Sequence, residues 1–310
     1  MRRILHRGSV TGPGVAWVSP LVRSPACAGP SPLAGLGPSS SARPPGPVGV
    51  RPPAEGTLPL THAGVPTAYE EAGGEGEFDV SDQDRLKRAA ALEALGLVES
   101  GMVVGLGSGS TARHFVAELG QRLETGGLER IVGVPTSRAT AEQATALGIP
   151  LVELDEHGVD IAIDGMDEYD DDLNAIKGLG GALLREKVVA ASATTFVLIG
   201  DHSKHVTRLG SLAPVPVEVA RFGWRRTASL LADLGAVPTL RTRDDEAFVS
   251  DNGNLLLDCR FPGGFDPVIL EAALCRLPGV LEHGLFIGMA HRAYVAGEDG
   301  TLALTGAAPG

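Results

Sequence analysis

Between Asp164 and Lys187 the chain reads DGMDEYDDDLNAIKGLGGALLREK, which sets two spaced carboxylates, a lysine, a glycine run and a glutamate in one short segment. Carboxylates and an amine gathered in this way are the parts of general acid–base chemistry on a small polar substrate. We read the segment as the catalytic centre, and the elements around it as the means of positioning it.

The residues just before it, VDIAID, alternate Val159, Ile161 and Ile163 with Asp160, Ala162 and Asp164, the period of a strand. Asp164 then ends that strand. Open α/β sheets bind ligands outside the carboxyl ends of their strands, so a loop opening with Asp164 and Asp167 is where a small polar substrate would lie. Lys177-Gly178-Leu179-Gly180-Gly181 is too rich in glycine for a helix and leads into good helix formers from Ala182 to Ala190. On that helix Glu186 shares a stripe with Leu183, Val189 and Ala190, while Arg185 and Lys187 cannot face it. Apolar company would raise the pKa of Glu186 toward neutrality, as a carboxylate base requires. Taken singly, Asp164 reads more readily as a turn residue and Lys177 as a surface lysine; Asp170 to Asp172 read as a solvated acidic loop. The combination points to chemistry.

A second motif precedes it. A strand, Met102 to Leu106, runs into Gly107-Ser108-Gly109-Ser110-Thr111 and then a helix, Ala112 to about Leu123, so backbone N–H groups and hydroxyls converge at a helix start. Such a loop suits an anion. It is neither GxGxxG nor GK[ST], and no acid ends the next strand, Ile131 to Val134, so a nicotinamide cofactor or a nucleoside triphosphate fits less well than a small phosphate monoester. A plain strand-to-helix turn is the alternative. Lys204, in DHSK after the strand Thr194 to Ile199, either adds positive charge to the site or is solvated.

The net charge of −12 argues against nucleic acid as a partner, and no basic stripe with aromatics occurs. No membrane span is visible. Cys27, Cys259 and Cys275 form no CxxC pair, which fits neither a disulfide framework nor zinc, and His202 with His205 reads as a loop feature; no metal or cofactor is expected. Residues 1–80 are rich in Pro, Gly, Ser and Ala, with no acid before Glu55, and read as a disordered extension. Its arginines and serines resemble an organelle transit peptide, and a start assigned too far upstream is the other explanation; a cytoplasmic location follows unless the transit reading holds.

From Ser81, where Ser81 and Asp84 read as a capping-box start, helix and strand alternate: a helix to about Leu95 capped by Gly96, another from Ser137 to about Leu147, and strands near Leu151 and Val159. This predicts an α/β fold with a Rossmann-like, doubly wound, mostly parallel sheet over 81–212 and 284–310. The stretch 213–283 mixes strands (PVPVEV, then near Thr239, Ala247 to Ser250 and Leu255 to Asp258) with helices at Arg225 to Leu234 and Pro267 to Leu277, and reads as a smaller inserted α+β domain.

In order, DGxDE, KGxGGALLREK and PVPVEV over about Ser81 to Gly300 resemble the ribose-5-phosphate isomerase family, type A. Met166, Leu179 and the histidines around Lys204 are mild departures. The resemblance implies a Rossmann-like domain with a smaller one, homodimers or homotetramers, no cofactor, and interconversion of D-ribose 5-phosphate and D-ribulose 5-phosphate in the non-oxidative pentose phosphate pathway. It implies substrate contacts at Ser108, Gly109, Ser110, Thr111, Asp164, Gly165, Met166, Asp167, Lys177, Gly178, Leu179, Gly180 and Lys204, with Glu186 as the proton acceptor. Moving a proton between C1 and C2 through an enediolate needs a base and an oxyanion partner: Glu186 and Lys177, with Asp164 and Asp167 assisting ring opening and oxygen protonation. A non-catalytic sugar-phosphate sensor, or a sugar-phosphate deaminase or lactonase, is the alternative.

Overall fold

Five strands that pair in parallel form the scaffold of the site in the computed structural model, which describes residues 80–154 and 158–306; Val80 aside, the front extension lies outside the described residues. The strands are β1 (Val103–Leu106), β2 (Val132–Pro135), β3 (Val159–Gly165), β6 (Ala193–Asp201) and β14 (Arg292–Gly297), and an antiparallel edge strand, β15 (Gly300–Thr305), completes the order β15-β14-β6-β3-β1-β2. In β3 every residue but Asp160 is buried, because helices cover both faces. One face packs Leu106, Ile163 and Ile199 on Phe115 and Leu119 of α2 (Ser110–Glu124) and on α1 (Val80–Leu95). The other packs Ala162, Phe196 and Leu198 on Val189 and Ala190 of α4 (Leu183–Ser192). Burying each large apolar side chain contributes roughly 1.5–3 kcal/mol.

Boundaries differ from the sequence reading in places that have local causes. α3 spans Arg138–Ala146, with Ser137 as N-cap accepting from Thr140 N. Gly96 turns back by donating to Glu93 O instead of adopting a left-handed cap. The strand expected near Leu151 is a single bridge to Gly133, since Pro150 has no N–H to extend a ladder. The site segment also folds into a small hairpin, β4 (Glu168–Tyr169) and β5 (Ala175–Ile176), around the exposed Asp171–Asp172 turn.

A second, antiparallel sheet has the order β12-β7-β11-β8, from β7 (Val215–Val219), β8 (Val237–Leu240), β11 (Leu255–Arg260) and β12 (Val280–His283). Its core joins Val217, Leu257 and Cys259 to Leu231 of α5 (Trp224–Asp233) and Leu270 of α6 (Pro267–Leu274). Between β8 and β11 lies a hairpin of β9 (Thr242–Arg243) and β10 (Glu246–Ala247); the strand expected from Ala247 to Ser250 continues only as a bridge between Val249 and Leu255. After β12, β13 (Leu285–Phe286) pairs with β5 in a third sheet, β13-β5-β4. No described helix is long and apolar enough to cross a membrane.

Candidate active site

Asp164 is the next-to-last residue of β3, and its carboxylate ties the two motifs together. Oδ1 accepts from Ser108 N at 2.9 Å and from Gly165 N at 2.7 Å. The approach requires glycine at 107, because a Cβ there would lie 2.2 Å from Asp164 Oδ1 and 2.5 Å from its Cα. Lys177 follows β5 directly and reaches across so that Nζ lies 3.1 Å from Asp164 Oδ2 and 3.5 Å from Glu186 Oε2, donating to Gly165 O at 2.5 Å. Gly178, at φ +100°, turns the chain away from the lysine toward α4, a conformation that excludes a side chain. Glu186 sits in the first turn of α4 and faces the lysine.

These three groups are 2–4 % exposed, and burial governs their protonation. Burial pushes the Glu186 carboxyl up to about 8; the Lys177 ammonium opposes this, and the Asp164 and Asp167 charges add to it. Asp164 is raised as well, by burial first, against Lys177 and its two backbone donors. For Lys177 burial works downward, but Asp164 and then Glu186 outweigh it and hold the ammonium above its usual value. Glu186 Oε2 is buried with no hydrogen-bond partner among the described residues. A carboxylate held so, beside a fixed ammonium, can accept a proton near neutral pH.

Lys177 and Glu186 border a cavity of about 120 Å³, lined also by Gly178 and Gly180 and by Ser108, Gly109, Ser110 and Thr111. Gly165, Met166, Asp167 and Lys204 complete most of the wall, so the structure brings together eleven of the thirteen residues expected to contact substrate. Asp164 and Leu179 are the exceptions. Asp164 lies behind Lys177 and Gly165, off the cavity, where it can act on the lysine but not line the space. Leu179 is 44 % exposed and contributes its backbone instead, donating to Asp167 Oδ2 at 2.9 Å. Ser108 lines the cavity, yet its hydroxyl is engaged by Thr136, Ser137 and Thr140 at 2.8–3.2 Å, which leaves Ser110 and Thr111 as the loop hydroxyls without a partner among the described residues. Met166 fits because Gly200 faces it: a Cβ at 200 would be 2.7 Å from Met166 Cε.

Four lining residues went unmarked in the sequence. Gln83 and Lys87 come from α1, Asp201 is the N-cap of the short 3₁₀ turn His202–Lys204, and Ser203 lies within that turn. Asp201 Oδ1 accepts from Ser203 N at 3.0 Å and holds that turn. Gln83 and Lys87 are four residues apart on one helix face, a spacing that could have marked a face in use. Lys87 and Lys204 thus give the cavity wall two further cations, and Glu186, Asp167 and Asp201 give it acids. Among the described residues no cluster of three or more His, Cys, Asp or Glu is arranged to hold a metal ion.

The family model described as ribose 5-phosphate isomerase A (phosphoriboisomerase A) matches residues 132–300. A ribose-5-phosphate isomerase A from Roseiflexus castenholzii is 53 % identical over 225 residues, covering 72 % of this chain and 96 % of its own. Among solved structures, a D-ribose-5-phosphate isomerase in complex with phospho-erythronic acid is similar at 38 % identity and TM-score 0.70, over 72 % of this chain and 98 % of that one. The ribose 5-phosphate isomerase from Plasmodium falciparum is similar at the same identity, TM-score and coverage, 38 %, 0.70, 72 % and 98 %.

Proposed function

The chain belongs to the ribose 5-phosphate isomerase A family, and from that membership we propose how its own residues interconvert ribose 5-phosphate and ribulose 5-phosphate. The carrying observation is the gap of 3.5 Å between Glu186 Oε2 and Lys177 Nζ on the wall of a cavity that two more lysines, Lys87 and Lys204, also line. The phosphate lies against Ser110, Thr111, Lys87 and Lys204, where charge and the start of α2 both favour an anion. This anchors the sugar with its C1–C2 end at Glu186. Asp167, on the wall and oriented by Leu179 N, assists ring opening to the free aldehyde.

The Glu186 carboxylate then takes the C2 proton, and the C–H electron pair forms the C1–C2 double bond while negative charge moves to O1. Lys177 stabilises that enediolate oxygen, and Asp164 acts through Lys177 by fixing and charging it. Return of the same proton to C1, with proton exchange between the two oxygens, gives the ketose. No redox partner enters the balance. Neither the sensor reading nor the deaminase or lactonase reading gains an observation in its favour.

The same reading extends to a homodimer or homotetramer acting in the cytoplasm, in the non-oxidative pentose phosphate pathway, and to a division of the chain at 81–212 with 284–310 against 213–283. The division is supported by the four-stranded sheet, which lies wholly within 215–283. The deciding experiment incubates purified protein with ribose 5-phosphate, without added metal or cofactor, and follows ribulose 5-phosphate. Product formation that collapses in Glu186→Gln supports the assignment, and a variant as active as its parent refutes it.

A further inference from the structure

Lys187, next to Glu186 in α4, is a buried lysine that does not line the cavity. Its ammonium is fully occupied: Nζ donates to Glu282 Oε1 at 2.7 Å, to the His283 carbonyl at 2.6 Å and to His283 Nδ1 at 3.1 Å. Three protons meet three acceptors. The count fixes the imidazole, because Nδ1 must be bare and Nε2 must carry the hydrogen, which then points at Cys275 Sγ, 3.4 Å away. Burial, followed by the Lys187 charge, pushes His283 down to about 4, so the ring is neutral over the working range.

Arg185, on the other side of Glu186, donates Nε to Asn252 Oδ1 at 2.9 Å, and Asn252 Nδ2 reaches Glu218 Oε1 at 3.2 Å. Glu218 and Glu282 are cross-strand partners on β7 and β12. The residues flanking Glu186 therefore bolt α4 to two adjacent strands of the four-stranded sheet. The stretch that receives Lys187 also receives Lys177. Lys177 N donates to Gly284 O at 2.9 Å, and the Phe286 ring lies 5.4 Å from the Lys177 ammonium and 5.0 Å from that of Lys187.

We propose that Lys187 is a positioning residue for the isomerisation: by clamping α4 to residues 282–284, which also hold Lys177, it sets the gap between the Glu186 carboxylate and the Lys177 ammonium. The inference rests on the reading of Glu186 and Lys177 as the acid–base pair. Simple packing would also bury a lysine here, and the two roles separate in the kinetics.

The test compares Lys187→Met, Glu282→Gln and Glu186→Gln with the parent on ribose 5-phosphate, with turnover normalised to folded protein from near-ultraviolet circular dichroism. A misplacement of about 1 Å costs on the order of 10²-fold in rate, so Lys187→Met is expected to lower kcat by about 10- to 100-fold with KM within about twofold. The acid limb of kcat also moves to higher pH, because a wider gap weakens the Lys177 charge that opposes burial at Glu186; Asp164 and Asp167, the other charges facing Glu186, push the same way. Glu282→Gln gives the same pattern at smaller amplitude and carries the test should Lys187→Met not fold. Parental kcat and an unmoved acid limb, with only the melting temperature lowered, overturn the proposal. Full activity in Glu186→Gln instead sinks the underlying assignment, whatever Lys187 does.

Discussion

Replacing Glu186 by glutamine removes both a catalytic group and an electrostatic burden, and the two effects have opposite signs. The carboxyl rises from 4.5 to about 8 on folding, first by burial, with Lys177 opposing and Asp164 and Asp167 adding. An acid whose folded pKa lies above its unfolded value leaves stability whole below the unfolded value and erodes it as pH rises through the folded one. The window here runs from about 4.5 to about 8. At about 1.4 kcal/mol per pKa unit, ionising the buried group across that window costs the fold several kcal/mol. Glutamine keeps the shape and never ionises. Parent and variant should therefore unfold at similar urea concentrations at pH 4.5 and diverge above it, the variant becoming the more stable by several kcal/mol at pH 9. Over the same range the parent's kcat/KM should climb through a limb near 8, while the variant's turnover falls by about 10² to 10⁴. Urea midpoints at three pH values and a turnover assay suffice. Midpoints that stay parallel across the range would show that Glu186 titrates as an ordinary carboxylate, and the mechanism built on it would fail.

Lys177→Met should lower turnover by about 10²- to 10³-fold and move the acid limb upward, since the charge opposing burial at Glu186 is gone; a pH–rate profile with the parent's limb would contradict the 3.5 Å pairing. Lys87→Ala and Lys204→Ala should each raise KM by about 10-fold or more with kcat within a few-fold, as expected for losing one hydrogen bond to a charged phosphate. If kcat falls and KM holds, the phosphate lies elsewhere. Gly107→Ala should give a destabilised, inactive protein, because its Cβ meets the backbone as well as the carboxylate of Asp164; parental melting temperature and activity would refute that contact.

The alternation of elements around Asp164 was legible because each long strand ends at a loop with a distinct composition, and the glycine and hydroxyl loop at 107–111 carries its meaning in residue type alone. Glu186 was legible from helical spacing: Leu183, Val189 and Ala190 on its stripe are all buried. What escaped was contributed by partners distant in sequence. Lys87 reads as one more polar residue on a helix until α1 packs beside β6 and β14, and two-residue strands such as β4 and β5 fall below any pattern. Asp164 reads as a substrate ligand because it ends a strand, yet its backbone donors draw the carboxylate behind Lys177. The inward turn of the Ser108 hydroxyl has the same origin, in Thr136, Ser137 and Thr140 one strand away.

The short strand Leu285–Phe286 and Gly284 beside it lie about a hundred residues beyond the groups they hold in place. Every reacting side chain is encoded before residue 205, yet a fragment ending there would leave β5 with only β4 beside it and Lys177 without the carbonyl that anchors its backbone. During synthesis, then, the reagents emerge first and their fixture comes last, so the enzyme should gain activity only once the ribosome has passed Phe286.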